Sequence, residues 1–142
     1  MLRCVFDTNT VLSGLFWKGP PHRLLLKALD SRLKLFTSEP LVAELRDVLQ
    51  RRKFEQVVVA SNLTVDQLVR AYLAVAEMVT PASIPRTASD PDDDIVLGTA
   101  AACAANFVVS GDEHLIVLRD FRGISIVSAA DCLNRHFAAE ER

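Results

Sequence analysis

The sequence predicts an α/β fold built around a mostly parallel sheet. Short apolar runs rich in Val, Ile and Phe alternate along the chain with longer segments that carry apolar residues at helical spacing. Two of the short runs end in acids, one directly at Asp7 and one through Gly111 at Asp112. Such runs are typical of buried parallel strands, and open α/β sheets bind their ligands beyond the carboxyl ends of the strands.

The composition indicates a globular chain of 142 residues, half of them hydrophobic. No apolar run approaches the roughly 20 residues of a transmembrane helix, so we expect no membrane association. The three cysteines lack the spacing of a disulfide framework or a zinc site, which predicts buried thiols in a reduced cytoplasm. The net charge of −2 gives no general attraction to nucleic acid, so any such contact must be local.

The first half of the chain contains predicted strands at residues 2–6 and 34–37. Helices are predicted at residues 8–15, 21–29, 39–51, 55–60 and 62–79, and Pro21 is expected to open the second of them. Thr8 or Asn9 is expected to cap the first helix, Ser38 the third and Thr64 the last. In that last helix, Val75, Ala76 and Val79 are expected to continue the buried stripe.

The second half begins with an irregular segment at residues 80–91 that holds three prolines. The acids of Asp90–Asp94 open a helix that is expected to run through Ile95–Ala105. A strand at residues 107–110, a short helix at 113–118, a strand at 124–127 and a helix capped by Ser128 follow.

Four acidic positions stand out: Asp7, Glu44, the cluster Asp90–Asp94, and Asp112. Glu44 lies about 40° around its helix from Val48, at the border of the apolar stripe. Mg²⁺ and Mn²⁺ prefer carboxylate oxygens, and carboxylates from separate elements can surround one ion. Crowded carboxylates otherwise repel one another, so the sequence predicts either a bound metal or acids of raised pKa.

Within the cluster, spacing favours Asp93 as the inward ligand. Asp93 shares one helical face with Leu97, Ala100 and Ala104. Asp94 lies about 100° around the helix from Asp93 and is the alternative candidate for the inward ligand. Asp90 is better placed as a helix cap. Asp92 simply favours the positive end of the helix. Taken singly, Asp7 and Asp112 are explained equally well as helix caps. Glu44 alone is more often a solvated helix residue, and aspartates at a helix start are usually explained by the helix dipole. The joint arrangement is what favours a site.

With these residues the chain resembles the PIN domain family, in the branch described as toxin components of toxin–antitoxin systems. The matching segments are residues 5–13, 37–49, 90–94 and 108–112. Their order and spacing extend from residue 2 to about residue 135. The resemblance implies a PIN-like α/β/α sandwich with a central, mostly parallel sheet, formed as a single PIN-like domain by residues 1–142.

The resemblance also implies an endoribonuclease that depends on Mg²⁺ or Mn²⁺, with RNA as substrate and an antitoxin protein as partner. By position, the metal-binding and catalytic acids are Asp7, Glu44, Asp93 and Asp112. Asn9 and Ser110 are then the polar neighbours that orient them, and the family often has threonine at the position of Ser110. Many such domains are homodimers.

Basic and aromatic residues of the first half of the chain are candidates for contact with the substrate. The acids repel phosphate, so basic residues at their rim are expected to help, and Lys18, Arg23 and Arg46 are candidates. Phe16 and Trp17 could stack a base, although core packing or a dimer contact explains them equally well. No histidine is needed for the implied chemistry.

The same residues are compatible with two alternative functions. The first is a catalytically silent PIN-like module that only binds RNA or protein. The second is a phosphoacceptor resembling a response-regulator receiver, which needs paired acids after the first strand and a lysine late in the sheet. Here Asp7 is followed by Thr8 and Asn9, and no lysine follows Lys53, so the sequence disfavours the receiver.

Overall fold

The computed structural model describes residues 1–139, and a six-stranded sheet forms their centre. The strands are β1 (Arg3–Phe6), β2 (Lys34–Thr37), β3 (Ala76–Met78), β4 (Phe107–Val109), β5 (Asp120–Phe121) and β6 (Ile124–Val127). Their order across the sheet is β3-β2-β1-β4-β6-β5. Every neighbouring pair is parallel except β5 and β6, so the predicted mostly parallel sheet is confirmed.

Helices connect the strands. Within the described residues they are α1 (Thr8–Phe16), α2 (Pro20–Leu29), α3 (Glu39–Leu49), α4 (Glu55–Ala60), α5 (Val65–Leu73), α6 (Pro91–Ala102), α7 (Glu113–Ile116) and α8 (Ala129–Phe137). A 3-10 helix, Arg52–Phe54, precedes α4. The capping box expected at Thr64 is present, since its hydroxyl accepts from Gln67 N at 3.1 Å and Gln67 Oε1 accepts from Thr64 N at 2.9 Å.

The sheet separates two apolar cores. In β1, Cys4 and Phe6 point into a core shared with α1, α2, α3, α5 and α8, whereas Val5 points into a core shared with α6 and α7. This alternation follows from the two-residue period of a strand. The predicted α/β/α sandwich is confirmed. No described helix is both long and apolar enough to cross a bilayer.

The predicted helix at residues 62–79 is wrong in its second half. The α5 helix ends at Leu73, and Ala76–Met78 forms β3, which pairs in parallel with β2. Val75, Ala76 and Val79 have helical spacing, but short edge strands are specified by the strand they pair with rather than by their own pattern. This error leaves the site untouched, because β3 lies at the far edge of the sheet.

Smaller differences concern element ends and caps. The α6 helix ends at Ala102 rather than at residue 105, and Ala104 is exposed with a positive φ of 51°. Asp7, rather than Thr8 or Asn9, caps α1. Ser38 occupies the N-cap position of α3, but its hydroxyl bonds to the Thr99 hydroxyl at 2.9 Å instead of capping. The short antiparallel strand β5 was not predicted at all.

Candidate metal centre

The ends of two neighbouring strands bring the predicted acids together. Asp7 directly follows β1, and Ser110 and Asp112 follow β4. The strands are parallel, with Phe6 opposite Val109. Asp7 N continues the ladder by donating to Val109 O at 3.2 Å. Both acids therefore lie at the carboxyl edge of the sheet, where open α/β sheets bind ligands.

A cavity of about 140 Å³, termed here the acid pocket, lies at this edge. It is lined by Asp7, Thr8, Asn9, Glu44, Asp90, Asp92, Asp93, Val96 and Asp112. The α3 helix contributes Glu44, and the first turn of α6 contributes Asp92 and Asp93. All four acids named from the sequence thus face one cavity, from four separate elements of the fold.

Asp7 is the most deeply placed of these acids, with 6% of its surface exposed. Its Oδ1 accepts from Thr10 N at 2.9 Å, and its Oδ2 accepts from the Ser110 hydroxyl. Burial raises the pKa of Asp7 and the charge of Asp112 adds to the rise, whereas the hydrogen bonds from Ser110 and Thr10 lower it. The hydrogen bonds therefore favour the charged carboxylate that burial disfavours.

Ser110 connects the two strand-end acids. While its hydroxyl donates to Asp7, the same oxygen accepts from Asp112 N at 2.9 Å. Ser110 is almost fully buried, at 1% exposure, so water does not compete for these bonds. Asn9, the other predicted neighbour, is exposed and lines the acid pocket.

Glu44 and Asp93 show the electrostatic cost of this crowding. Burial is the first cause that raises the pKa of Glu44, followed by the charges of Asp92 and Asp7. Burial and then the charge of Asp112 raise the pKa of Asp93 to about 6. The Oδ2 atom of Asp93 is buried without a hydrogen-bond partner among the described residues. Such an atom is costly unless a ligand or proton satisfies it.

Asp94 points elsewhere. Its Oδ1 accepts from Ala88 N at 2.7 Å, and both its oxygens lie 3.3 Å from Thr87 N. Its Oδ2 also lies 3.6 Å from Arg86 Nε. Asp94 thus holds the segment before α6 against the helix, and of the two adjacent acids it is Asp93 that lines the acid pocket.

Besides the apolar Val96, three pocket residues were not assigned to the site from the sequence. Asp90 caps α6 as expected, accepting from Asp92 N at 3.0 Å, but both acids also line the acid pocket. Thr8 lines it too and lowers the pKa of Glu44 through a hydrogen bond. Thr8, Asp90 and Asp92 could have been predicted to line the site because they lie next to Asp7 and Asp93 in the sequence. They were not predicted, because Asp90 and Asp92 are also explained by their position at the start of a helix.

The basic residues proposed for substrate binding do not line the acid pocket. Lys18 and Arg23 are exposed on or near α2, and Arg46 forms an ion pair with Asp66 at 3.1 Å. Trp17 is 55% exposed and packs edge-on against Phe16, with ring centroids 5.8 Å apart. These aromatic residues therefore form a small surface cluster outside the pocket.

The acid pocket offers carboxylate and hydroxyl oxygens, the donors that suit Mg²⁺ and Mn²⁺. Within residues 1–139, no three acidic, histidine or cysteine side chains converge tightly enough to form a ready-made ion site. The residues fit a divalent ion through their donor chemistry and the unpartnered Asp93 Oδ2, rather than through a completed coordination sphere. The raised pKa values of Asp7, Glu44 and Asp93 mark the charge that such an ion would neutralise.

This chain belongs to the PIN domain family. The family model, described as PIN domain, matches residues 3–114, which include all four predicted metal-binding acids. Among solved structures, a chain of VapBC2 from Rickettsia felis, bound to a DNA fragment from its promoter, is 14% identical with a TM-score of 0.59. The match covers 88% of this chain and 97% of that one, and shows a shared fold. No curated protein matches the chain.

Family membership confirms the predicted resemblance and overturns the receiver alternative. The topology agrees, because receivers use the strand order 2-1-3-4-5, whereas this sheet is ordered 3-2-1-4-6-5.

Proposed function

We propose that this protein is an endoribonuclease that hydrolyses RNA phosphodiester bonds with the help of bound Mg²⁺ or Mn²⁺. The observation that carries the proposal is the convergence of Asp7, Glu44, Asp93 and Asp112 on one cavity at the carboxyl edge of the sheet. PIN domains are generally nucleases, which supports the same class of activity. We propose these four acids as the metal-binding and catalytic residues.

Held by these four acids, a divalent ion would supply Lewis-acid chemistry for the phosphate and would lower the pKa of a bound water molecule. The residues of the chain hold and orient that chemistry. Asp7 accepts hydrogen bonds from two donors, Thr10 N and the Ser110 hydroxyl, which hold its carboxylate in one orientation. Asp93 Oδ2 is an unpartnered acceptor inside the pocket. In-line attack of water on phosphorus leaves a 5′-phosphate and a 3′-hydroxyl.

We further propose that the protein acts in the cytoplasm as the toxin of a toxin–antitoxin pair. The shared fold with a VapBC2 chain supports this reading. An antitoxin would then cover the acid pocket and keep RNA out, and a homodimer is the assembly we propose. The proposed domain spans residues 1–142, of which the last three lie outside the described part of the chain.

The test is RNA cleavage by the purified chain with Mn²⁺ and with EDTA. We expect cleavage only with Mn²⁺, products with 5′-phosphates, and at least a hundredfold loss in Asp7→Asn. Asp30→Asn, an exposed acid that caps the end of α2, is the matched control and should retain activity. Full activity of Asp7→Asn would refute the proposal.

The main competitor is the silent PIN-like binding module. The lack of a ready-made ion site among the described residues is the observation that favours it. Calorimetry with Mn²⁺ separates the two functions, because only the nuclease should release or absorb heat that Asp93→Asn abolishes.

A further inference from the structure

Three cavities adjoin one another along the carboxyl edge of the sheet. Asn9 lines both the acid pocket and a second cavity of about 130 Å³, termed the middle cavity. Ser128 lines both the middle cavity and a third of about 370 Å³, termed the arginine cavity. Asp7, Ser110 and Ser128 directly follow β1, β4 and β6, which are adjacent in that order. The cavities therefore form one row across three strand ends.

The row is acidic at one end and basic at the other. The middle cavity between them exposes mainly apolar surface. The Thr10 and Ser110 hydroxyls in its lining already donate to Val109 O and to Asp7, so Asn9, Ser13 and Ser128 are its polar side chains toward a ligand. Hydroxyl and amide groups bind phosphate and ribose oxygens. The arginine cavity is lined by Arg119 and Arg135, with Asp131 as its one acid. Two guanidinium groups against one carboxylate leave an excess of positive charge there.

Both arginines are available to a ligand. Arg119 and Arg135 are exposed, and neither forms an ion pair or a side-chain hydrogen bond with another residue of the described chain. Several other arginines are already engaged, since Arg46 is paired with Asp66 and Arg51 with Asp47. Guanidinium groups suit phosphate because their N–H donors match its oxygens in pairs.

The acid pocket itself repels phosphate, so an RNA strand has to be held by cations outside it. The distance from β1 to β6 is two strand spacings, roughly 10 Å, or the length of about three stacked nucleotides. At about 130 Å³ the middle cavity is too small to hold a base pair, so RNA that enters it has to do so as a single strand.

We propose that single-stranded RNA runs from the acid pocket through the middle cavity to Arg119 and Arg135, which bind phosphates about three nucleotides from the cleaved bond. The inference rests on the proposed nuclease function and names the path of its substrate. Asn9 and Ser128 then contact the strand between the two ends.

The test compares two double variants of the full chain. Arg119→Gln/Arg135→Gln removes both phosphate contacts, and Lys34→Gln/Arg52→Gln removes the same charge from exposed positions on β2 and the 3-10 helix. Fluorescence anisotropy with a labelled single-stranded RNA in EDTA reports binding without cleavage. We expect affinity to fall about tenfold in the first variant and less than twofold in the second.

Salt dependence sharpens the result. Loss of two phosphate contacts should reduce the slope of log K against log salt by about 1.4, whereas the control variant should keep the slope of the unmodified chain. Equal effects of the two variants, or no RNA binding by the unmodified chain, would overturn the path. Binding of a hexaglutamate peptide that the first variant loses while RNA binding persists would assign the arginines to a protein partner instead.

The outcome is separable from that of the proposed function. If Mn²⁺-dependent cleavage occurs but the arginine variant binds and cleaves like the control, the path is wrong and the nuclease stands. If RNA binding depends on the arginines but no cleavage occurs, the nuclease is wrong, and only the binding of RNA phosphates by Arg119 and Arg135 stands. Melting temperatures of both variants verify that the chains are folded.

Discussion

The hydroxyl of Ser110 donates a hydrogen bond to Oδ2 of Asp7. This bond joins the ends of two adjacent parallel strands, and it is buried. It lowers the pKa of a carboxyl group that burial raises, so Asp7 is more readily charged with Ser110 than without it. The strength of any ion site at Asp7 therefore depends on a neutral side chain that need not touch the ion.

Ser110→Ala should weaken Mn²⁺ binding by roughly tenfold, the size expected when a ligand loses its orienting partner. The pKa of Asp7 should rise further, so activity should reach half its maximum at a higher pH than in the unmodified chain. Mn²⁺ titration by calorimetry and a pH–rate profile measure the two effects.

Ser110→Thr keeps the hydroxyl and is the matched control, which should retain Mn²⁺ binding within about threefold. An alanine variant with an unchanged pH profile would show that Ser110 acts only in packing.

Asp93→Asn should stabilise the metal-free protein while removing its response to metal. The substitution keeps the shape of the side chain but removes a charge that burial disfavours first and that the charges of Asp112 and Asp90 disfavour further. In EDTA the melting temperature should rise by roughly 3 °C, the pattern expected when a functional site is strained. Mn²⁺ should then add little, in contrast to the control Asp30→Asn. A lower melting temperature in EDTA would contradict this account.

The stability of the metal-free protein should fall as pH rises from about 4 to above 6. Asp93 has a pKa of about 6 when folded against an ordinary value of 3.8, and Asp7 and Glu44 shift in the same direction. Between these values the folded chain holds protons that the unfolded chain has released, so raising the pH favours unfolding.

Mn²⁺ should offset this loss, because it replaces the protons as the counter-charge of the acids. The increase in melting temperature on adding Mn²⁺ should therefore be larger at about pH 7.5 than at about pH 5. Scanning fluorimetry in EDTA and in Mn²⁺ measures it. An equal increase at both values would indicate an ion bound away from these acids.

Asp94→Ala tests whether Asp94 stabilises the fold while its neighbour Asp93 binds the metal. Asp94 accepts from Ala88 N and Thr87 N, so its loss should cost about 2 kcal/mol of unfolding free energy. Urea denaturation measures this cost. Mn²⁺ binding should fall by less than about threefold, since Asp94 does not line the acid pocket. If Asp94→Ala abolished Mn²⁺ binding while Asp93→Ala spared it, the assignment would be reversed.

The sequence was sufficient to place the strand-end acids because a buried parallel strand is a local signal. An apolar run that stops at Asp7 marks both the strand and its carboxyl end. The choice of Asp93 over Asp94 as the residue facing the pocket was also local, since it follows from the period of one helix. Which face of a helix or strand is buried can be predicted from one sequence, because it depends only on the spacing of residues within that element.

What the sequence could not supply was contact between distant elements. β3 and β5 are three and two residues long and exist through pairing with β2 and β6. The hydrogen bond between Thr8 and Glu44, which lowers the pKa of Glu44, also depends on the packing of two separate elements, α1 and α3. The engagement of Arg46 by Asp66 likewise depends on how α3 packs against α5, and no local pattern states it.

Gly98 fixes the segment that precedes α6, and Gly98→Ala should therefore destabilise the fold. A Cβ at this position would lie 2.5 Å from the backbone oxygen of Ala82, whose N–H donates to Gly98 O at 2.9 Å. The clash is with backbone, so unfolding free energy should fall by about 2 kcal/mol in a urea titration. Gly19→Ala meets no atom within 4 Å, and the loss of a glycine N-cap of α2 should cost at most about 1 kcal/mol. Equal stability of the two variants would mean that the segment moves aside without cost.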